Sequence, residues 1–313
     1  MRIGIDLGGT KTEVIALGPA GEELVRERVA SVPDYEGTLQ AIAALVEGAE
    51  GAVGERGSVG VGIPGAISPE TGLVKNANST WLIGKPLDRD LSERLDRPVR
   101  VMNDADCFVL SEASDGAAAG AASVFGVILG TGVGGGFVLD GRVVEGAARI
   151  AGEWGHNPLP WPTDDERPGP ECYCGKRGCV ETFCSGPGLE RDYARAGAGS
   201  GTPPAPDGSA PTGGLDHAAT DGPTAEAIAR AAASGEPVAV AALDRYVDRL
   251  TRALASVVNV LDPEVVVLGG GVSNVEGLPE RVEWGLPEWV FGQEVATRVV
   301  RHAHGDSSGV RGA

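Results

Sequence analysis

The chain has 313 residues, 42% of them hydrophobic and 22% charged, which is enough for a large core and, by length alone, about two domains. Its formal charge is −18, from 26 Lys and Arg against 44 Asp and Glu, and it has no basic run, which argues against a nucleic-acid partner and suits an acidic enzyme with a neutral substrate. The same charge could serve solubility alone. No apolar run approaches the roughly 18 residues of a membrane helix, and the opening MRIGIDLGG is strand-like with no basic leader, so a cytoplasmic protein without membrane contact is expected.

The first element is a strand, a Gly-Gly turn and a second strand around DLGGTKT, residues 6–12. A phosphate-binding P-loop would need Lys directly after the second glycine and then a helix. Here Thr10 follows Gly9, Lys11 comes one place late, and TKTEVIAL alternates with β-branched residues as a strand does. Ile3, Ile5 and Leu7 should face one way, Gly4 and Asp6 the other. Gly8 and Gly9 allow positive φ and leave room for a phosphate beside backbone N–H groups. Asp6, at the strand end, could hold Mg²⁺ through water. An ordinary hairpin turn is the competing reading.

VRVMNDADC, residues 99–107, places Asn103 and Asp104 directly after a short strand, where functional groups gather in α/β folds. The same letters also read as a helix N-cap with acid in the first turn. VFGVILGTGVGGGFVL, residues 124–139, repeats the strand–turn–strand pattern, and Asp140-Gly141 opens a further hairpin. Two such hairpins about 120 residues apart suggest a duplicated α/β unit that clamps one nucleotide, with Thr131 and Gly132 as the second clamp.

Cys172, Cys174 and Cys179 form C-x-C-x₄-C, and His156 lies 16 residues before the first of them. Three thiolates and an imidazole suit a closed tetrahedral Zn²⁺ site of structural type, a buried free-thiol cluster being the alternative. Cys107 and Cys184 have no evident partner and read as small buried hydrophobes. Residues 195–227, rich in Gly, Pro, Ala and Ser, read as a flexible surface loop. Residues 238–261 have helical periodicity and lead into PEVVVLGGGVS, where a buried strand meets Gly269, Gly270 and Gly271. So open a backbone suits an adenine or ribose.

In this order DLGGTKT, GIPG, NDAD, LGTGVGGG, GEWGH, CYCGKRGCVE and VLGGGVS resemble the ROK family of bacterial sugar kinases, within the actin-like, ribonuclease-H-like ATPase superfamily. The resemblance covers nearly the whole chain. It implies an α/β fold with two α/β domains around a cleft and a zinc-binding loop. The divisions expected are 1–115, joined by 300–313, and 116–299. KNANSTWL, GEWGHNPLPW and HGDSSGVRGA look most like the fructokinase branch.

The activity so implied is ATP-dependent phosphorylation of free D-fructose at its 6-hydroxyl, with Mg²⁺ accompanying ATP. Glucokinase, mannokinase and N-acetylhexosamine kinase are the alternatives. In the family pattern Asp104 is the general base. Asn103, Glu153, His156 and Glu181 meet the sugar, and Gly65 and Asn78 line its pocket. Asp6, Gly8, Gly9, Thr10, Lys11, Thr131, Gly132, Gly134 and Gly269–Gly271 fall on the ATP side. A sugar-responsive repressor would need an N-terminal winged helix, for which a hairpin starting by residue 6 leaves no room. A sensor without chemistry is disfavoured by the presence of Asp6, Thr10, Asp104 and Thr131. Family members are often homodimers. The 195–227 segment departs from the shorter helical connection of the family, and VRGA ends the chain a few residues earlier than this branch implies.

Overall fold

The computed structural model describes residues 1–197, 222–292 and 294–313. In chain order come β1 (Arg2–Leu7), β2 (Lys11–Leu17), β3 (Glu23–Ala30), α1 (Tyr35–Val53), β4 (Ser58–Ile63), β5 (Ala66–Ile67), β6 (Val74–Lys75), α2 (Leu87–Leu95), β7 (Val99–Asn103) and α3 (Asp104–Ser114). There follow β8 (Ser123–Leu129), β9 (Val133–Leu139), β10 (Arg142–Val143), α4 (Val180–Cys184), α5 (Gly186–Gly197), α6 (Ala225–Ala233) and α7 (Pro237–Leu261). The chain closes with β11 (Val265–Gly269), α8 (Leu278–Trp289), β12 (Arg298–Arg301) and α9 (Ser308–Gly312). The ends of the predicted 195–227 loop belong to α5 and α6; its middle, 198–221, lies outside the described residues.

Two five-stranded sheets repeat one plan, in the orders β3-β2-β1-β4-β7 and β10-β9-β8-β11-β12. In each, an antiparallel hairpin (β1–β2, β8–β9) is followed outward by two parallel strands (β4 and β7, β11 and β12). This is the duplication that the two glycine hairpins suggest.

Alternation decides what covers each face. Ile3, Ile5 and Leu7 of β1 join Val59, Val61 and Ile63 of β4 in a core with Leu39, Ile42 and Val46 of α1 and Leu87 and Leu91 of α2. Each such side chain is worth about 1.5–3 kcal/mol over its exposed state. The other face of the same strands carries Gly4 of β1 and Gly60 and Gly62 of β4. A Cβ on Gly4 would stand 2.0 Å from the carbonyl oxygen of Val310, and one on Gly60 would stand 2.1 Å from that of Ala313. Those glycines let α9 lie directly on the sheet, so the last residues of the chain return to the first sheet.

Helix α3 packs on both sheets. Its Phe108 and Val109 share a cluster with Val124, Val138, Val265 and Val267 of the second sheet, while Cys107 Sγ lies behind Gly62 of the first. Strand β12 reaches Arg301 in the second sheet, past the predicted division at 299. Cys107 and Cys184 are buried, as expected of small hydrophobes.

Helix α7 starts with Pro237 under a Glu236 cap and ends at Asp262 in the left-handed region (φ 44°). It buries two arginines. Arg252, 1% exposed, and Arg249 both bond the carboxylate of Glu166, at 2.9 Å and 2.7 Å. Burial alone would raise Glu166, but these two guanidinium groups override it and hold the carboxyl at about 2. The pairing roots the cysteine-bearing segment 157–179 on α7. Among the described residues no helix is long and apolar enough to cross a membrane.

Candidate active site and metal cluster

A cleft of about 610 Å³ opens between the two sheets, at the strand ends that carry the predicted motifs. Gly65, Asn78, Asn103 and Asp104 line it from one side, and Thr131, Gly132, Gly134, Glu153, His156 and Glu181 from the other. Asp6, the 8–11 turn and Gly269–Gly271 do not line this cleft.

Strand β7 ends where α3 begins, and both readings of NDAD hold at once. Asn103 is the N-cap: its Oδ1 accepts from the backbone N–H of Ala105 at 2.8 Å and of Asp106 at 3.3 Å. Its Nδ2 donates to the carbonyl of Gly65 at 3.3 Å. The Asn103 amide is thus engaged at both ends in scaffolding, and any sugar contact would be additional. Asp104 is the first helical residue, with Oδ1 accepting from Ala105 N–H at 2.8 Å. Burial pushes its carboxyl up to about 7. The charges of Asp6 and Glu153 add to this, and the Ala105 N–H opposes it. A carboxyl poised there serves as a base near neutral pH. Asp6 itself is raised to about 6, by burial first and then by Glu13, its cross-strand partner, against Arg28.

The glycines divide into two kinds. An added Cβ at Gly9, Gly130 or Gly271 would meet no atom within 4 Å, so these positions border open space that a ligand could enter. Several others serve packing. Gly8 and Gly9 do not use the left-handed region open to them; the 8–11 hairpin closes with Gly8 N–H on Lys11 O at 3.0 Å. Gly135 makes room for Trp154, whose Nε1 donates to Gly134 O at 3.1 Å, and Gly269 makes room for the Phe108 ring. Gly270 does use positive φ (79°), against Leu129, and a 3₁₀ turn at Gly271–Asn274 follows.

Glu153 and His156 sit on a 3₁₀ turn (Glu153–His156) laid against β9. A Cβ on Gly155 would stand 2.2 Å from Val133 O, which explains the glycine in GEWGH. Glu181, 9% exposed on α4, accepts from Val133 N–H through Oε2 at 3.0 Å. Burial raises its carboxyl, and that N–H opposes the rise.

The ligand atoms of His156, Cys172, Cys174 and Cys179 all lie within 4.8 Å of one another. A zinc–sulfur bond of about 2.3 Å puts tetrahedral neighbours roughly 3.7 Å apart. Cys174 Sγ and Cys179 Sγ are 3.6 Å apart, and Cys172 Sγ is 3.5 Å from His156 Nδ1. The four residues therefore fit one ion, with Nδ1 as the imidazole ligand. Burial and the neighbouring thiols push the Cys179 thiol up to about 12, so a bound cation would have to displace its proton. Sequence reasoning overlooked Tyr173, which also lines the cleft and bonds His156 Nε2 through its hydroxyl at 3.0 Å. Its only signal was its place between two ligand cysteines.

A family model described as "ROK family" matches residues 2–313. The chain is 40% identical over 321 residues to an N-acetyl-D-glucosamine kinase of Yersinia pseudotuberculosis, covering 100% of this chain and 97% of that one. Among solved structures it resembles a ROK hexokinase from Thermus thermophilus, with a TM-score of 0.80, 30% identity, and 99% and 95% of the two chains covered. It also resembles a ROK family glucokinase from Streptomyces griseus in complex with glucose and AMPPNP, with a TM-score of 0.77, 29% identity, and 99% and 97% covered.

Proposed function

The chain belongs to the ROK family and is a sugar kinase, and on that premise we propose that it transfers the γ-phosphate of ATP to the 6-hydroxyl of N-acetyl-D-glucosamine. The observation that carries the chemistry is Asp104, a carboxyl held near pH 7 at the start of α3 and facing the cleft. What favours this sugar is the identity to N-acetyl-D-glucosamine kinases along the full chain. That identity supports the N-acetylhexosamine alternative better than the D-fructose assignment drawn from the branch motifs.

In this reading Asp104 accepts the proton of the attacking hydroxyl. Phosphoryl transfer has a loose transition state, so holding the hydroxyl in line matters more than full deprotonation. Glu153 and Glu181 hold the remaining hydroxyls, which two carboxylates suit better than they would an anionic substrate, and His156, whose Nε2 bonds the Tyr173 hydroxyl, reaches the sugar only by giving up that bond. The turns at 8–11 and 130–132 and the open edge at Gly271 receive ATP. Asp6 would hold the Mg²⁺ that accompanies ATP and neutralises phosphate charge. His156, Cys172, Cys174 and Cys179 would hold a structural Zn²⁺ that fixes the sugar-facing groups around it.

The test is an ADP-release assay with Mg·ATP against N-acetylglucosamine, glucose, mannose, fructose and N-acetylmannosamine, ranked by kcat/KM. N-acetylglucosamine should rank first. Fructose in first place would restore the branch assignment, and no turnover on any of the five would remove the kinase reading of this cleft.

A further inference from the structure

One aromatic ring stands in the sugar cleft without a part in the reaction described so far. Tyr173 lies between Cys172 and Cys174, two of the four residues that could hold a metal ion. Its ring is 55% exposed and meets His156 edge-on, with centroids 5.1 Å apart and planes at 86°. Its hydroxyl sits on His156 Nε2, the ring nitrogen that the metal cluster leaves over.

We propose that Tyr173 is the specificity-determining residue for the substituent at carbon 2 of the sugar, its ring receiving the methyl of a 2-acetamido group. This rests on the kinase reading above. The attacking hydroxyl must lie at Asp104. In a hexopyranose, carbons 6 and 2 are on opposite ends of the ring. In the proposed pose the carbon-2 end is given to His156 and Glu181, which line the same cleft, and Tyr173 is bonded to His156 there.

The chemistry of the walls points the same way. The cleft walls include the backbone of the 130–135 turn and strand and the carboxylates of Asp104, Glu153 and Glu181. Of its apolar side chains, the large exposed ones are Tyr173 and Ile83, the latter 49% exposed and contributed by the first-sheet side. A 2-hydroxyl needs neither. An acetamido methyl needs an apolar surface, and an aromatic face supplies one at little entropic cost. One apolar group in a pocket discriminates by about 10- to 200-fold.

The experiment compares wild type, Tyr173→Ala and Tyr173→Phe as full-length zinc-loaded proteins, with zinc per chain measured alongside. For each, kcat/KM is measured on N-acetylglucosamine and on glucose. Tyr173→Ala should lose at least about tenfold more on N-acetylglucosamine than on glucose while keeping its zinc. Tyr173→Phe, which keeps the ring, should hold the wild-type ratio within about threefold. Equal losses on both sugars with zinc retained would overturn the proposal and leave Tyr173 as a support for His156.

Should Tyr173→Ala shed zinc, saturation-transfer NMR on the wild-type protein decides instead. Irradiating aromatic protons should mark the acetyl methyl of bound N-acetylglucosamine above its ring protons, and an unmarked methyl overturns the assignment. A wild type idle on both sugars fails the kinase reading itself. A wild type active on glucose but not on N-acetylglucosamine fails this inference alone.

Discussion

Glu181 Oε2 accepts the backbone N–H of Val133 at 3.0 Å, joining the helix that follows the metal cluster to the turn of the second glycine hairpin. One carboxylate thus faces the cleft proposed to take the sugar while it braces the turn proposed to take ATP phosphates. A Cβ on the neighbouring Gly132 would stand 2.6 Å from that same oxygen.

Gly132→Ala should therefore push Glu181 off Val133 and disturb both substrates. The expected result is a fall of about tenfold or more in kcat/KM for the sugar and for ATP together. Thermal unfolding should hardly change, because Gly132 is on a turn and its φ is not in the left-handed region. If only the ATP parameter moves, Glu181 does not link the two substrates.

As the proposed base, Asp104 should set the pH dependence of the reaction. With its carboxyl at about 7, the base form is lost as pH falls through that value. Wild-type kcat/KM should drop about tenfold per pH unit below about 7, since this parameter reports the free enzyme. Asp104→Asn should abolish that limb and lower kcat by about 10²- to 10⁴-fold. Calorimetry should still find sugar bound to the variant. A pH profile flat from 5 to 8 in the wild type would deny Asp104 the role of base.

Asp106, in the first turn of α3, is buried with its Oδ1 unpartnered by any hydrogen bond. Burial first, then the charges of Glu145, Asp104 and Glu153, raise it from 3.8 to about 7. The native state therefore holds this proton more tightly than the unfolded chain. Its contribution to stability is full below about 3.8 and is lost as pH rises through about 7. Asp106→Asn removes the titration and keeps the shape. The variant should gain on the order of 2 kcal/mol relative to wild type between pH 5 and pH 8 in urea unfolding. An equal difference at both pH values would show that Asp106 is not so raised.

Much of this architecture was legible because its signals are local. The alternation in RIGIDL, the glycine turn after it and the period of residues 238–261 fix β1, β2 and α7 wherever they end up in space. The cysteine spacing names four ligands for the same reason. What was not legible depends on contacts distant in sequence. Gly4 looks like a flexible residue until α9 lies on it, more than 300 residues later. Gly134 reads as part of the ATP clamp, yet Gly134–Gly136 form a strand whose bare faces admit Trp154 and α3. Asn103 could be a cap or a ligand, and only its bonds to Ala105, Asp106 and Gly65 show how its amide is used. Tyr173 carries no periodic or motif signal, so its place in the cleft emerges only with the fold.

The cysteine cluster makes the last prediction, because its four residues belong to the same short stretch as the sugar-facing groups. Cys179 is the N-cap of α4 and bridges to Pro158, while His156 is two residues before that bridge. Glu181 follows Cys179 by two residues on α4, so a metal that holds Cys179 and His156 sets where Glu181 and the 3₁₀ turn stand. Four protein ligands leave no open position, so removing the ion should cost structure and sugar binding before it costs chemistry. Cys179→Ala, or dialysis of the wild type against a strong chelator, should release about one zinc per chain. Stability should fall on the order of 3 kcal/mol, a drop in Tm of roughly 5–10 °C. In the surviving folded protein, KM for the sugar should rise well above tenfold while KM for ATP shifts less, since Gly9 and Gly271 lie away from the cluster. Zinc-free protein with unchanged Tm and unchanged sugar KM would reduce the cluster to a set of adjacent thiols, and would leave Arg249, Arg252 and Glu166 as the anchor of this segment on α7.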